Sequence, residues 1–332
     1  MNGSIENTGE IASLQLDAAQ DYGAADQEID FTDEQHAIWA DLYAGVYQPQ
    51  FLDFMCREFK VGLRRIEYDA RHIPTLAHLN SKITPRTGWT IERTAVRYTD
   101  ADNWYDKFAK RIFLVTDYLR TRDQLEFTPE PDMFHDIFGH LPYLTQRFYA
   151  NIENRFAPAY LKATSEERDV IKRLAWYSTE FGLVIEDDEI KIFGAGLLSG
   201  KCEMTKVINE IERLNRDLLT SDEGVYDQLC SVYESHRLQV GNLIAEINLL
   251  HEKGQMSSAE KGWSVINQIY ERLGIPRDGY FGGEVVIAPF DLSTIATVPK
   301  TVYAINPIFF VSESFDSMDA VLDGYLTPIS QR

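Results

Sequence analysis

Two histidines and three carboxylates lie within one twelve-residue stretch of a chain that has seven histidines in all: Glu130, Asp132, His135, Asp136 and His140. His135 and His140 are five residues apart, about 140° around an ideal helix, so a regular helix would point their rings in different directions. Gly139 and Pro142 indicate that the helix is distorted or ends there, which would let both imidazoles converge. The pair also fits two helix-end histidines that local carboxylates and carbonyls satisfy.

A further carboxylate, Glu180, lies forty residues beyond this stretch in an otherwise apolar run. Burying a carboxylate is costly unless a cation compensates its charge. In one interpretation an arginine such as Arg120 or Arg173 holds it. In the other, the two imidazoles and this carboxylate bind one face of a divalent metal, as in non-haem Fe(II) oxygenases. Asp132 and Asp136 would then orient the imidazoles as supporting partners.

The elements that must position these residues are mostly helices. Apolar spacing predicts a mainly α protein with minor β. The Thr32 and Gln35 pair predicts a capping box for the first helix. Close backbone approach or a sharp turn is expected at Gly194-Ala195-Gly196. Further helices are predicted over 103–120, 203–219, 225–252 and 257–273, with short strands over 90–96, 284–288 and 302–311.

Composition narrows the class of protein. The formal charge is −20 and the pI about 4.7, which disfavours nucleic acid and membrane surfaces as partners. No apolar run approaches the roughly 18 residues needed to span a bilayer. Three scattered cysteines predict a reducing cytoplasm. Residues 1–29 are polar and acidic, lack the pattern of a signal peptide and are expected to be disordered.

Several independent sequence blocks resemble the pterin-dependent aromatic amino acid hydroxylases, most closely the bacterial phenylalanine 4-hydroxylases. The blocks are Thr128 to Asp132, His135 to Pro142, Trp176 to Leu183 and Gly194 to Ser199, with a fainter match from Phe309 to Phe315. The resemblance covers residues 30–200 and about 305–320. It implies the catalytic fold of that family, which uses O2 and a tetrahydropterin at Fe(II) to hydroxylate an aromatic ring and to form a hydroxypterin.

The resemblance also implies a role for individual residues. The Fe(II) ligands, which are the catalytic residues, would be His135, His140 and Glu180. Arg120 would bind the substrate carboxylate, for which a guanidinium is suited. The other substrate-binding residues would be Thr128 and Ser199 near the amino acid group and Pro131, Trp176 and Phe181 around the ring. Asp136 matches the acidic residue near the pterin, and tryptophan at 176 is typical of phenylalanine hydroxylases.

The sequence departs from the family in two places. Thr94-Ala95-Val96-Arg97-Tyr98 lacks the Pro-Gly-Leu-like turn of the pterin-binding loop, which leaves the use of tetrahydrobiopterin or a related tetrahydropterin open. Residues 201–282 form a helical insertion that relatives lack. We therefore expect a catalytic domain from 30–200 and 283–332, and a monomer or a homodimer formed through the insertion.

The expected function is a cytoplasmic iron monooxygenase that hydroxylates the ring of a free aromatic L-amino acid, phenylalanine first. One alternative is an iron oxygenase of the same fold with a changed reductant or substrate, as in secondary metabolism. A zinc hydrolase fits less well, because such enzymes place a general base beside the metal ligands. A non-catalytic protein that binds metal or amino acid is the alternative from another class.

Overall fold

A computed structural model describes residues 29–97, 99–128, 130–219, 221–256, 259–302 and 304–332, without the side chains of 259–265. The segment 1–29 that was expected to be disordered lies, apart from Ile29, outside these residues. The mainly α fold with minor β that the sequence predicts is confirmed. Among the described residues, none of the helices combines the length and the apolar character of a membrane span.

The regular elements are numbered in chain order. The helices are α1 Asp33–Val46, α2 Pro49–Leu52, α3 Arg57–Ile66, α4 Leu76–Thr87, α5 Ala101–Ala109, α6 Leu141–Leu144, α7 Arg147–Lys162, α8 Ser165–Ala175, α9 Ala195–Ser199, α10 Lys201–Asp217, α11 Val225–Ser235, α12 Arg237–Glu252, α13 Ala259–Leu273, α14 Leu292–Ile295 and α15 Phe315–Ser330. The strands are β1 Thr90–Thr94, β2 Ile112–Thr116, β3 Leu183–Glu186, β4 Glu189–Ile192, β5 Val286–Pro289 and β6 Ile308–Ser312. Two π-helical turns span His135–His140 and Trp176–Glu180.

The strands form two small sheets. Strands β1 and β2 pair in parallel, and a four-stranded sheet has the order β4-β3-β6-β5. Within it β3 and β4 form an antiparallel hairpin, whereas β6 runs parallel to both β3 and β5. The turn Trp176–Glu180 leads directly into β3, so the start of this sheet fixes the position of Glu180.

Local sequence explains where several elements begin and end. Thr32 and Gln35 form the predicted capping box at the start of α1. Helix α13 ends before Gly274, whose φ of 62° suits glycine. The predicted start of this helix at residue 257 lies outside the described residues.

Two predicted helices are wrong in their extent. The helix expected over 103–120 ends at Ala109, because the following residues Ile112–Thr116 are branched or aromatic, four of them buried, and form β2. Arg120 therefore lies in the loop after a strand. The helix expected over 225–252 is two helices that meet at His236, where Ser235 Oγ and the His236 ring both bond the carbonyl of Val232. The predicted strand over 302–311 is limited to Ile308–Ser312.

One hydrophobic core runs through all the predicted parts of the chain. It includes Phe138 from the first range, Ile211 and Ile247 from the predicted insertion, and Phe309 from the C-terminal range, each no more than 1% exposed. The division into a catalytic domain and an insertion stays a prediction.

The Gly-Ala-Gly segment at the start of α9 is where both π-helical turns meet. A Cβ placed on Gly194 would lie 2.3 Å from the carbonyl oxygen of Glu180, and one on Gly139 would lie 2.7 Å from that of Ala195. Both contacts are to backbone, which cannot swing aside as a flexible side chain can. The predicted close approach is confirmed, and it joins the turn that carries the histidines to the turn that carries the glutamate.

We expect Gly194→Ala to destabilise the protein by about 1–3 kcal/mol, because the added methyl would overlap the Glu180 carbonyl. Urea unfolding measures the change. The matched control is Gly241→Ala in α12, where the new Cβ would meet nothing within 4 Å. Alanine should be neutral there or stabilise the exposed helix by about 0.5–1 kcal/mol. Equal stability of the two variants would show that the close approach is not a constraint.

Candidate metal centre

His135 and His140 stand at the two ends of one π-helical turn. Bonding from residue i to i+5 makes a turn wider than that of an α-helix, so residues five apart come onto the same face. The two Nε2 atoms lie 3.2 Å apart, and the rings are almost perpendicular. The expectation that a distorted helix lets both rings converge is confirmed.

Glu180 reaches the same point from the second π-helical turn, which the bond from Phe181 N to the Trp176 carbonyl closes. Its carboxylate oxygens lie 3.2 Å from His140 Nε2 and 3.5 Å from His135 Nε2. The alternative in which an arginine holds Glu180 is wrong. Arg120 pairs with Asp132, and Arg173 donates to the carbonyl of Ala296.

The spacing of these donors fits one bound cation. Protein nitrogen and oxygen ligands lie about 2.0–2.2 Å from a first-row divalent metal, which places two donors roughly 3.0–3.4 Å apart. The observed separations, 3.2–3.5 Å, agree with that geometry. Two imidazoles and one carboxylate are the ligand set of non-haem Fe(II) sites that keep positions open.

A second cluster of possible ligands is a poorer metal site. Cys56, Glu58 and Glu186 also bring one donor each within 4.8 Å of one another. Burial raises the pKa of the Cys56 thiol to about 12, and its sulfur lies 3.1 Å from the Tyr143 hydroxyl. Metal binding needs a thiolate, which this environment disfavours. Glu186 is also occupied, because both of its oxygens accept from the backbone N–H of Arg57.

The protonation states of the ligand residues differ. Burial lowers the pKa of His135 to about 4. Burial also opposes the charged form of His140, but the neighbouring Glu180 carboxylate outweighs it and raises the pKa of His140. The pKa of Glu180 falls to about 2, because the two histidines overcome the effect of burial. Without metal, the raised pKa of His140 therefore favours its protonated form beside an ionised Glu180, whereas His135 is neutral.

Ser199 orients His135. The Ser199 hydroxyl donates to the carbonyl of Ala195 at 2.8 Å, so its oxygen accepts from Nδ1 of His135 at 2.9 Å. That bond places the proton on Nδ1 and leaves the Nε2 lone pair facing the other ligands. The prediction that Asp132 and Asp136 orient the imidazoles is wrong. Asp132 accepts from the backbone N–H of His135, and Asp136 from that of Thr116.

The three ligand residues face a cavity of about 460 Å³. All ten site residues predicted from the sequence line it: Arg120, Thr128, Pro131, His135, Asp136, His140, Trp176, Glu180, Phe181 and Ser199. Trp176 and Phe181 pack against each other with ring centroids 4.6 Å apart and form an aromatic wall. The size suits a small organic molecule.

Arg120 is held for binding by a buried partner. Its Nε and Nη2 donate to the two oxygens of Asp132, each at 2.8 Å, and both side chains are almost fully buried. This pair fixes the plane of the guanidinium. Nη1 makes no hydrogen bond to the described residues, so one amino group on the cavity wall remains for a ligand.

The altered loop after β1 is tied to the metal turn. Thr116 donates its backbone N–H to Asp136 at 2.9 Å and its hydroxyl to the carbonyl of Val96 at 3.1 Å. Arg97 lies over the Tyr118 ring, 3.6 Å from its centroid, and pairs with Glu130 at 2.5 Å. Burial raises the pKa of Asp136 to about 7. Tyr98 lies outside the described residues.

Sequence reasoning missed several residues that line the cavity. Trp104 on α5 adds an aromatic ring near the altered loop, and Lys300 adds an ammonium beside Trp176. Glu153 and Glu203 are buried carboxyls, and burial raises the pKa of each to about 7. Charged residues within amphipathic helices, such as these two glutamates, look like ordinary surface residues in sequence. The one sequence signal for their burial is that neither glutamate falls on the polar face of its helix.

A family model for biopterin-dependent aromatic amino acid hydroxylases matches residues 10–233. The chain belongs to this family. The match includes both π-helical turns, the Gly-Ala-Gly segment and the altered loop.

Individual members of the hydroxylase family agree with this assignment. The phenylalanine-4-hydroxylase of Chromobacterium violaceum is 38% identical over 175 residues, which are 52% of this chain and 58% of the relative. A tyrosine 3-monooxygenase of Canis lupus familiaris is 30% identical over 186 residues, which are 55% of this chain and 37% of the relative. The chain thus spans about three-fifths or less of these two relatives.

A solved structure extends the similarity of fold to nearly the whole hydroxylase chain. The phenylalanine hydroxylase of Chromobacterium violaceum with bound Fe(III) superposes with a TM-score of 0.60 at 25% identity, over 91% of this chain and 83% of the other. The cold-active phenylalanine hydroxylase of Colwellia psychrerythraea gives a TM-score of 0.63 at 21% identity, which supports the fold alone.

We expect Glu180→Gln to abolish stoichiometric Fe(II) binding by the protein, because the amide carries no charge to offset the cation. Ser199→Ala removes only the support of one ligand and should weaken binding roughly 10–100-fold. Anaerobic Fe(II) titration measures both. The control is Glu186→Gln, which changes the second cluster and should leave one tight site. If only the Glu186→Gln control lost the metal, the metal site would be the Cys56, Glu58 and Glu186 cluster instead.

Metal affinity should depend on pH in a defined way. Metal binding must displace the proton of His140, whose pKa is raised, but none from His135, whose pKa is about 4. The logarithm of the affinity should therefore rise by about one per pH unit between roughly pH 5 and 6.5 and level off above the pKa of His140. Calorimetry in buffers of different ionisation enthalpy counts the released protons. Release of two protons, or of none, would contradict these protonation states.

Proposed function

We propose that the protein is an iron-dependent monooxygenase that hydroxylates the ring of a free aromatic L-amino acid, with phenylalanine as the first candidate. The observation that carries the proposal is the convergence of His135, His140 and Glu180 on a cavity with an aromatic wall and an arginine. Family membership supports it, as do relatives named phenylalanine-4-hydroxylase.

The proposed metal is Fe(II), held by His135, His140 and Glu180. Bound iron with open positions would activate O2, with a tetrahydropterin as the source of two electrons. One oxygen atom would enter the ring and the other would leave on the hydroxypterin. Asp136, which Thr116 connects to the altered loop, and Trp104 both line the cavity, where they would offer a carboxyl and an aromatic face to the flat pterin.

The substrate is positioned by residues of the chain itself. Arg120, fixed by Asp132, would bind the substrate carboxylate through its remaining amino group. Trp176, Phe181 and Pro131 would enclose the aromatic ring. Holding the carboxylate at one end and the ring at the other determines which ring carbon faces the metal, which is a large part of the catalytic advantage of a binding site.

Thr128 has a supporting position. Its hydroxyl donates to the carbonyl of Glu130 at 3.0 Å, across the proline-rich segment that leads to the metal turn. Ser199 bonds His135 directly, so its contribution to substrate binding would come through the orientation of that ring.

Location and assembly belong to the same proposal. The three cysteines Cys56, Cys202 and Cys230 are unpaired, which supports a reducing cytoplasm. A monomer, or a homodimer that contacts through residues 201–282, is proposed because these helices carry exposed apolar side chains. Leu238 on α12 is 75% exposed.

The test is oxygen uptake by the anaerobically reconstituted Fe(II) protein with L-phenylalanine, with and without tetrahydrobiopterin. We expect uptake and a product heavier by one oxygen atom only when the pterin is present. The control is Glu180→Gln, which should give neither. Equal product without pterin would favour the same iron site with a changed reductant. Iron and substrate binding without uptake would favour a non-catalytic protein.

A further inference from the structure

Lys300 places an ammonium in the wall of the cavity that Trp176 forms. It lies in the segment between α14 and β6, lines the cavity and is only partly exposed. Its Nζ is 5.4 Å from the centroid of the Trp176 ring. In the proposed function this is the ring that encloses the aromatic part of the substrate, so the charge lies beside the substrate side chain.

Other cations that line the cavity have a carboxylate partner in the described structure. Arg120 pairs with Asp132 at 2.8 Å, and Lys172 pairs with Asp169 at 2.6 Å. Lys300 makes no ion pair or hydrogen bond to the described residues. The Glu180 carboxylate attracts the Lys300 ammonium electrostatically, but it faces the two histidines instead.

Lys300 is also held in place by its neighbours in the chain. The Tyr177 hydroxyl donates to the carbonyl of Pro299 at 2.7 Å on one side. On the other, the Thr301 hydroxyl donates to the side-chain oxygen of Asn306 at 2.7 Å. A position fixed on both sides in this way belongs to a preorganised site rather than to a mobile surface lysine.

The same amide connects Lys300 to the aromatic wall. Asn306 accepts from Trp176 Nε1 at 2.8 Å as well as from Thr301, and it donates from its backbone and side chain to Glu203. The indole and the residue that follows Lys300 are therefore held by one buried group.

A neutral aromatic ring would offer this ammonium at most a cation–π contact, as Trp176 already does, and no charged partner. Such an arrangement is costly, because a desolvated charge needs a counter-charge or a hydrogen-bond acceptor. A substrate with an oxygen acceptor on its ring would supply one, and a charged oxygen would supply the strongest.

Resting on the proposed function, we propose that Lys300 is a specificity-determining residue that binds an anionic oxygen group, such as a carboxylate, on the aromatic ring of the substrate. This refines the substrate of the proposed function from phenylalanine itself to a phenylalanine with a second carboxylate on its ring, and L-phenylalanine is the weaker ligand of the two. Arg120 binds the carboxylate of the amino acid group, and Lys300 binds the one on the ring.

The test compares the binding of L-phenylalanine, 3-carboxy-L-phenylalanine and 4-carboxy-L-phenylalanine by calorimetry, on the metal-free protein and without pterin. We expect one carboxylated isomer to bind at least about tenfold tighter than L-phenylalanine, as a new charge-assisted bond to a buried group allows. Lys300→Met should remove that preference, and it should leave the affinity for L-phenylalanine unchanged or raise it, because no ammonium is then desolvated.

Two further variants make the result specific. Lys172→Met removes a cavity lysine that already has a partner and should keep the preference. Lys300→Arg keeps the charge and should retain part of it. Thermal unfolding of each variant identifies any that fails to fold.

Two outcomes would overturn the inference. In one, the wild-type protein shows no preference for a carboxylated ring. In the other, Lys300→Met weakens all three ligands equally, so that Lys300 contacts the carboxylate they share. The result is independent of the oxidation chemistry. A lysine-dependent preference without oxygen uptake would support the Lys300 site and contradict the monooxygenase proposal. Oxygen uptake without the preference would support the monooxygenase proposal and contradict the Lys300 site.

Discussion

The site depends on one packing constraint, the contact of the Gly194-Ala195-Gly196 backbone with both π-helical turns. Three donor atoms from segments forty residues apart must meet within a few ångströms, and no single helix could supply them. Gly194 lies against the Glu180 carbonyl, Ala195 lies against Gly139, and Ser199 at the end of the same short helix bonds His135. One element of five residues thus sets the distance between the turns and the orientation of a ligand.

The charges around the cavity follow a consistent pattern. Burial makes it costly for these acids to carry a negative charge. Asp132 pairs with an arginine, whereas burial raises the pKa of Asp136, Glu153 and Glu203 to about 7. Glu180 stays ionised because two imidazoles face it, and Asp132 because Arg120 faces it. The ionised Glu180 is therefore located where a cation fits, and the ammonium of Lys300 lines the same cavity.

Helical spacing predicted the fold class because it is a local property, and the resemblance to the hydroxylases implied that His135, His140 and Glu180 would meet. The sequence also predicted a distortion at His135–His140, since five residues do not fit one face of an α-helix. It could not predict that the helix containing Trp104 ends at Ala109, because the apolar pattern continues from α5 into the buried strand β2. Lys300 was missed for a different reason. A lysine is significant only when its surroundings offer no carboxylate, and that is a property of tertiary structure.

The amide of Asn306 connects two parts of the cavity wall. Its oxygen accepts from both Trp176 and Thr301, so it ties the aromatic wall to the residue that follows Lys300. His135 and His140 come from another turn, whereas Glu180 shares the turn of Trp176. Asn248 of α12 bonds the nearby Thr297 carbonyl, so a helix outside the family's shared blocks braces the same wall. Changes in the part of this wall beyond the turn of Glu180 would therefore alter which molecules fit the cavity while leaving the three converging side chains in place.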